Sequence, residues 1–340
     1  MKKVIVGISG GVDSSVSALL LKNEGYEVTG VTLDLLGENN EDAKEVCDKL
    51  NIKYVKLDCK EIFKKCVINY FIDEYKLAHT PNPCIECNKK LKFEYMYKYL
   101  KDNNIDYIAT GHYAKVEYSD KYKKYVLKKA DNKDKDQSYF LYAINKEILP
   151  KLIFPLAKFN SKDEIRNIAK ENNLNVHSKS DSQDICFIKN DDYKTYLEKN
   201  SNMNNKEGNI ILNNKIIGKH TGLYKYTIGQ RKGLGISHKT PLYVIGFNTS
   251  INELIVGEEN DLYVDNFEVI NYNLLAIDNL DTPLTVNVKT RYKSIEYPCI
   301  IEKKDNNILV KLTTPIKGVT SGQSAVFYID DVVIGGGIIK

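Results

Sequence analysis

The sequence predicts an α/β domain built on a parallel sheet, then a small β-rich domain, then a closed antiparallel β-barrel. Three observations carry this. Apolar strand-like runs at residues 4–8, 28–33 and 54–57 alternate with helical patterns, which requires a parallel sheet covered on both faces. The first run passes straight into Ser9, Gly10, Gly11, Val12, Asp13 and Ser14, a turn suited to holding an anion. Beyond Asn200 the chain changes to short strands separated by Asn and Gly turns. The expected divisions are 1–205, 206–265 and 266–340, lengths that suit separate domains.

Two adjacent glycines after a buried strand let several backbone N–H groups approach an anion with no Cβ in the way. Ser14 and Ser15 open a helix with Val16, Leu19 and Leu20 at helical spacing, so its positive end faces the same anion. No Lys follows the glycines as a GxxxxGK[ST] loop requires. The string SGGVDS resembles the PP-loop of the ATP pyrophosphatases, which split ATP between its α and β phosphates. That resemblance places Asp13 near a magnesium ion or makes it orient the loop.

In a parallel sheet ligands bind outside the carboxyl ends of the strands. Leu33 ends the second strand, and Gly111 and His112 follow a short strand at 106–110, so all three are expected at one edge. From its residue type alone, Leu33 is equally well ordinary core and His112 a structural residue. Residues 62–77 read as a helix, and 115–118 with 125–129 as a hairpin or a sheet extension. Ser161 and Glu164 form a capping box opening a helix through Asn172. Residues 181–188 (DSQDICFI) read as strand or loop, and Asn202, Asn204, Asn205 and Gly208 as a linker. Asn213-Asn214 is a hairpin turn, and 218–236 a glycine-rich basic cluster in the central domain. Runs at 285–288, 308–312 and 324–329 are barrel strands; Gly335 to Gly337 read as a bend between strands.

With 42% hydrophobic and 28% charged residues and no apolar run of membrane-spanning length, the chain reads as a soluble protein with no membrane partner. The two N-terminal lysines lead into the motif strand rather than a signal peptide, and a cytoplasmic location follows. The 49 basic and 45 acidic residues nearly balance, so a nucleic acid would be met by a local patch. Residues 121–135 offer seven lysines interleaved with Tyr122 and Tyr125; from charge alone they read as a solvated hairpin.

Seven cysteines are an odd number, against a disulfide framework in a reducing compartment. Cys47, Cys59, Cys66 and Cys299 read as small buried hydrophobes. Cys84 and Cys87 sit in TPNPCIEC, where Pro81 and Pro83 predict a loop carrying both cysteines. A helix follows at once, so Cys87 is expected near its N-terminus, where a thiolate is favoured. Next to an ATP site, adenylation turns a carbon-bound oxygen into a good leaving group. A cysteine then supplies a thiolate or a persulfide, and a second cysteine can release the sulfur by closing a disulfide. The competing chemistry is a metal site, three soft ligands suiting an iron–sulfur cluster; zinc would want a fourth ligand at motif spacing.

Taken together, SGGVDSS, TPNPxxxCNKxxKF, ATGHYA, KDQSYFL, DSQDICFI, TIGQRKGLGI, GQSAVFY and IGGGII resemble, in order and nearly throughout the chain, the tRNA-specific 2-thiouridylases of the MnmA family. The resemblance implies ATP-dependent sulfur transfer to C2 of a wobble uridine in tRNA, with Mg2+, by a monomer that takes sulfur from a cysteine desulfurase or a relay protein. It implies that Gly7, Ile8, Ser9, Gly10, Gly11, Val12, Asp13 and Ser14 hold the phosphates, and that Leu33 and Gly111 contact adenosine. Cys87 becomes the nucleophile and Cys186 the persulfide carrier, paired as a disulfide after turnover. Asn82, Pro83 and Cys84 would face the target base; His112, Lys135, Asp136, Gln137, Arg291, Tyr292 and Gln323 would contact tRNA, and the central domain, 206–265, would bind it too. Many family members have Asp at the position of Cys84. The triplet Cys84, Cys87 and Cys186 is also similar to that of thiolation enzymes holding a [4Fe-4S] cluster, so relay and cluster mechanisms both stand, as does a non-catalytic module that binds ATP and RNA.

Overall fold

Strand β1 (Lys3–Gly7) is followed by α1 (Val12–Asn23), β2 (Glu27–Asp34), α2 (Glu41–Lys49) and β3 (Lys53–Asp58), the alternation expected from the sequence. The structure, a computed structural model, describes residues 1–178, 185–188, 192–201, 203 and 206–340. A long helical run comprises α3 (Lys60–Phe63), a π-helical segment Lys64–Ile68 and α4 (Asn69–Lys76). A second comprises α5 (Pro83–Cys87), a π-helical segment Asn88–Tyr95 and α6 (Met96–Asp102). Then come β4 (Tyr107–Ala109), the hairpin β5 (Ala114–Ser119) and β6 (Lys124–Lys129), β7 (Leu152–Ile153), α7 (Lys162–Glu171) and α8 (Tyr193–Asn200). Ser161 caps α7 by accepting from the Glu164 N–H, as the capping box predicts.

The five strands β3-β2-β1-β4-β7 form one parallel sheet. Chain order runs outward one way from β1 to β3 and the other way to β4 and β7. The reversal lies between β1 and β4, the crevice where a doubly wound sheet binds its ligand. One face carries Ile5, Val31 and Ile108 into a core with Phe93 and Met96; the other carries Val4, Val6 and Val28 against Val16 and Leu19 of α1.

The central sheet has the order β10-β11-β8-β9, from β8 (Gly208–Leu212), β9 (Lys215–His220), β10 (Tyr243–Asn248) and β11 (Glu253–Gly257). Asn213 and Asn214, at φ 48 and 62, make the two-residue turn of the β8–β9 hairpin, a turn that demands positive φ at both positions. The linker expected around Asn202, Asn204 and Asn205 falls outside the described residues.

The last third contains β12 (Tyr263–Leu274), β13 (Leu284–Lys289), β14 (Tyr297–Lys304), β15 (Asn307–Lys317), β16 (Ser324–Ile329) and β17 (Val332–Ile339). They pair antiparallel in the order β12-β15-β14-β13-β16-β17, and β12 pairs with β17 to close the barrel. The bend expected at Gly335 to Gly337 is instead strand interior. A Cβ on Gly335 would meet the Asn273 carbonyl at 2.3 Å, and one on Gly336 the Ala325 carbonyl at 2.6 Å and the Tyr142 ring at 2.8 Å. The glycines are there for close approach, which periodicity does not distinguish from a bend.

The β5–β6 hairpin adds to the barrel through β6 and β17 rather than extending the parallel sheet. Its lysines are largely paired: Lys124 with Asp278, Lys128 with Glu117 and Asp331, Lys129 with Glu296. These lysines are thus held in ion pairs against the barrel rather than left in solvent. Tyr139 and Tyr142 lock the first domain to the barrel, their hydroxyls bonding the Ser324 carbonyl at 2.9 Å and its Oγ at 3.0 Å.

Candidate active site

The turn after β1 gathers Gly7 to Ser14 at the carboxyl edge. Gly10 has φ +77, and a Cβ there would lie 3.0 Å from that of Asp42, so only glycine makes the turn without strain. Ser14 Oγ accepts from the Ser9 N–H at 3.3 Å and donates to the Gly11 carbonyl at 3.0 Å. No side chain caps α1, whose N-cap is Gly11. The place a capping oxygen would occupy is open to phosphate oxygens.

Gly111 closes the crevice from the β4 side: a Cβ there would meet the Ser14 nitrogen at 2.8 Å and the Asp13 carbonyl carbon at 2.9 Å. Leu33 lies half-buried at the end of β2. The structure therefore brings Leu33, Gly111 and the glycine turn to one edge. Asp13 is held from two sides, accepting from the Tyr113 hydroxyl at 2.9 Å and pairing with Lys162 Nζ at 2.5 Å. Lys162 escaped the sequence reading because it follows Asp13 by 149 positions and belongs to no local pattern.

The cysteine loop differs from expectation. Pro83 occupies the first turn of α5, with Asn82 as N-cap, since a proline at the helix start costs no hydrogen bond. Cys84 and Cys87 are thus on a helix, not on a loop. Cys84 is exposed and Cys87 buried. The expected thiolate preference at Cys87 is overturned too: burial pushes its pKa up, with Lys92 opposing, because loss of hydration disfavours the charged form. Although Cys84 as a residue is exposed, the protein packed around its sulfur raises its pKa too, again against Lys92. Cys186 is pushed up to about 11, first by burial and then by Cys87 and Cys84, so the three sulfurs share one electrostatic environment. Phe187 anchors the Cys186 turn through edge contacts with Phe63 and Phe71, ring centroids 5.7 and 5.4 Å apart. Only 185–188 of the DSQDICFI segment are described; the rest of that expectation lies outside the described residues.

Lys92 is the second residue missed. In an α-helix positions i and i+5 diverge, but the π-helical segment after Cys87, with i to i+5 hydrogen bonds, turns Lys92 back toward it. Its ammonium acts on Cys84, Cys87, Cys186 and His112. His112 donates to or accepts from Thr110 Oγ1 through Nδ1 at 2.7 Å and packs against Phe93 and Phe154. Burial, then Lys92, holds its pKa well below the usual value, so the ring is neutral. Asn88, beside Cys87, donates to the Phe140 carbonyl at 3.1 Å, while its buried Oδ1 has no partner among the described residues.

The remaining candidates lie between β6 and β7 and on the barrel. Lys135 is half-buried. The Asp136 carboxylate is turned inward, accepting from the Ala130 and Ser138 N–H groups and the Ser138 hydroxyl; burial raises its pKa. Gln137 Oε1 accepts from the Tyr113 N–H at 3.0 Å. From the barrel, Arg291 donates to the Gly318 carbonyl and Thr320 Oγ1, and Tyr292 packs on Phe140 with centroids 4.5 Å apart. Gln323 donates to the Thr80 carbonyl at 2.6 Å. Among the described residues no group of three His, Cys, Asp or Glu side chains could hold a metal ion. The cysteines do not fit an iron–sulfur cluster.

Residues 2–190 match the family described as tRNA methyl transferase HUP domain, 194–258 its PRC-barrel domain, and 264–339 the aminomethyltransferase beta-barrel domain. The tRNA-specific 2-thiouridylase MnmA of Acetivibrio thermocellus is 43% identical, covering 100% of this chain and 99% of that protein. Its namesake from Clostridioides difficile is 42% identical over 100% and 98%, and that of Clostridium kluyveri 44% over 99% and 99%. The order of motifs, the glycine turn facing Gly111 and the cysteine-bearing helix thus occur in a chain that belongs to the tRNA-specific 2-thiouridylase MnmA family.

Proposed function

We propose that the chain is an ATP-dependent tRNA sulfurtransferase that converts the wobble uridine of its tRNAs to 2-thiouridine. One observation supports this reading beyond family membership: the nucleotide turn and the cysteines are linked through adjoining residues. Ser14 abuts Gly111, His112 follows Gly111, and Lys92 acts on both His112 and Cys87.

The glycine turn and the α1 N-terminus bind the ATP phosphates with Mg2+, and Leu33 and Gly111 flank adenosine. Uridine O2 attacks the α phosphorus, releasing pyrophosphate. The terminal sulfur of a Cys186 persulfide attacks C2, and AMP leaves with the oxygen. The Cys87 thiolate then attacks the inner sulfur, forming a Cys87–Cys186 disulfide and leaving the outer sulfur on C2; an external thiol reduces the disulfide. Asn82, Pro83 and Cys84 face the base, while His112, Lys135, Gln137, Arg291 and Tyr292 face the tRNA; Gln323, its amide held by the Thr80 carbonyl, favours a role in positioning the segment ahead of α5. For Asp136 the inward hydrogen bonds favour a role in shaping the loop between Lys135 and Gln137. Asp13, held by Tyr113 and Lys162, orients the turn. A cysteine desulfurase, directly or through a relay protein, charges Cys186; the protein works as a cytoplasmic monomer.

The test is AMP formation and 2-thiouridine yield with unmodified tRNA and a persulfide donor. Thiolation lost in both Cys87→Ser and Cys186→Ser, with iron and acid-labile sulfide absent from active protein, supports the relay. tRNA binding without turnover under any donor would make the protein a binding module instead.

A further inference from the structure

The glycine-rich basic loop between β9 and β10 touches the segment leading into the cysteine helix yet has no part in the chemistry above. Thr80, just before Asn82 and Pro83, donates to Thr227 Oγ1 at 3.4 Å, so the loop starts beside the segment that would face the target base. On its other side, a Cβ on Gly229 would lie 4.0 Å from Arg291 Nη2. The loop base is braced. The Gly229 N–H donates to the Val244 carbonyl at 2.8 Å and the Val244 N–H to the Gln230 carbonyl at 2.9 Å. Gln230 accepts from the Thr227 N–H at 3.1 Å and donates to the Lys232 carbonyl at 2.9 Å.

Gly229, Gly233 and Gly235 all have positive φ, at 87, 78 and 67, and the coiling they allow buries Leu234 with Ile210, Val244 and Leu254. Arg231, Lys232 and Lys239 are left exposed, and Arg231 and Lys239 line a hollow of about 620 Å³ formed with residues 233–242. None of the three forms an ion pair among the described residues, unlike the β6 lysines. The nearby Glu258 carboxylate is already engaged, accepting from Thr240 Oγ1 at 2.8 Å and capping the turn Glu259–Leu262. A rigid loop presenting unpaired cations beside the base-facing segment is matched to one kind of ligand, the sugar–phosphate backbone, which such contacts position without reading sequence.

We propose that Arg231, Lys232 and Lys239 clamp the phosphates of the RNA strand flanking the target base. The proposal rests on the tRNA reading above. Its test is the affinity of the full-length protein for unmodified tRNA across a salt series, for wild type, the pair Arg231→Gln with Lys232→Gln, and Lys239→Gln. Each lost phosphate contact lowers the slope of log K against log salt by about one. The expected result is a slope smaller by about two in the pair and about one in Lys239→Gln, with weakening equal for substrate and unrelated tRNAs. Exchanging the cations instead, Arg231→Lys with Lys232→Arg, restores the slope, which separates lost charge from lost folding. Wild-type binding with an unchanged slope in the Gln variants overturns the clamp alone. Absence of tRNA binding by the wild type overturns the tRNA reading and the clamp with it.

Discussion

Gln323 of the barrel donates its side-chain amide to the Thr80 carbonyl at 2.6 Å, and the Thr80 N–H in turn donates to the Ser321 carbonyl at 2.9 Å. A Cβ on Gly322 between them would come within 2.7 Å of the His79 Cβ and 2.9 Å of the Thr80 nitrogen. The segment that leads into Asn82, Pro83 and the cysteines is therefore gripped at its backbone by the barrel and touched by Thr227 of the central domain. All three structural units converge on one residue ahead of the nucleophile helix. The barrel thereby helps set where α5 begins.

Gln323→Leu removes that grip while keeping most of the side-chain volume. A neutral hydrogen bond of this kind contributes about 1 kcal/mol, so the fold persists. Thiolation should fall several-fold at saturating tRNA while tRNA affinity changes by less than about twofold, since kcat-only losses mark an interaction that matters in the transition state. A loss confined to affinity would instead place Gln323 on the RNA.

Lys162→Met leaves Asp13 with only the Tyr113 hydroxyl of its two named partners and removes a positive charge from beside the phosphate turn. AMP formation should drop by more than about tenfold, the effect of a misplaced phosphate contact of ~1.4 kcal/mol, with tRNA affinity unchanged. Lys162→Arg should recover part of the rate. Equal AMP formation in Lys162→Met and wild type would remove the ion pair from any account of nucleotide use.

The parallel sheet, the capping box at Ser161, the Asn213-Asn214 turn and the barrel strands were legible because each rests on local pattern or turn chemistry. Gly335 to Gly337 were not, because what excludes a Cβ there is the backbone of Asn273 and the ring of Tyr142, both distant in sequence. The cysteine helix was misjudged for a related reason: Pro83 reads as a breaker unless one knows that it stands at the first turn. The site's glycine turn and cysteines stood out as chemical types in sequence, whereas Lys92 and Lys162 are two lysines among many until the fold brings them to a sulfur and to a carboxylate.

Gly336→Ala tests the close approach directly. The added methyl collides with the Ala325 carbonyl at 2.6 Å and with the Tyr142 ring at 2.8 Å, and backbone on one side cannot yield as a flexible side chain would. Overpacking of this kind costs about 1–3 kcal/mol, to be read from urea unfolding. Gly246→Ala, where the nearest atoms are 3.9 and 4.0 Å away, should stay within about 0.5 kcal/mol of wild type and serves as the control.

The three cleft thiols set the last expectation. The neutral form of a thiol is the protonated one, so burial raises the pKa and depletes thiolate at a given pH, tenfold for each unit. In the protein without tRNA, iodoacetamide modification of Cys186, followed residue by residue by mass spectrometry, should be slow at pH 8 and climb toward the value of about 11 set by its surroundings. Cys87, also raised by burial, should likewise lag a free cysteine. Because Lys92 opposes the rise at Cys84, Cys87 and Cys186, Lys92→Met should displace all three profiles to still higher pH and slow modification at pH 8, whereas Lys92→Arg, which keeps the charge, should leave them nearly in place. A profile for Cys186 that levels off near pH 8 would show that its surroundings do not hold the thiol up, and three profiles indifferent to Lys92→Met would show that the ammonium does not act on these sulfurs. If the displacement is found, the thiolate that sulfur transfer requires is rationed by burial and restored in part by one lysine, and the rate of thiolation should rise with pH in parallel with Cys87 modification.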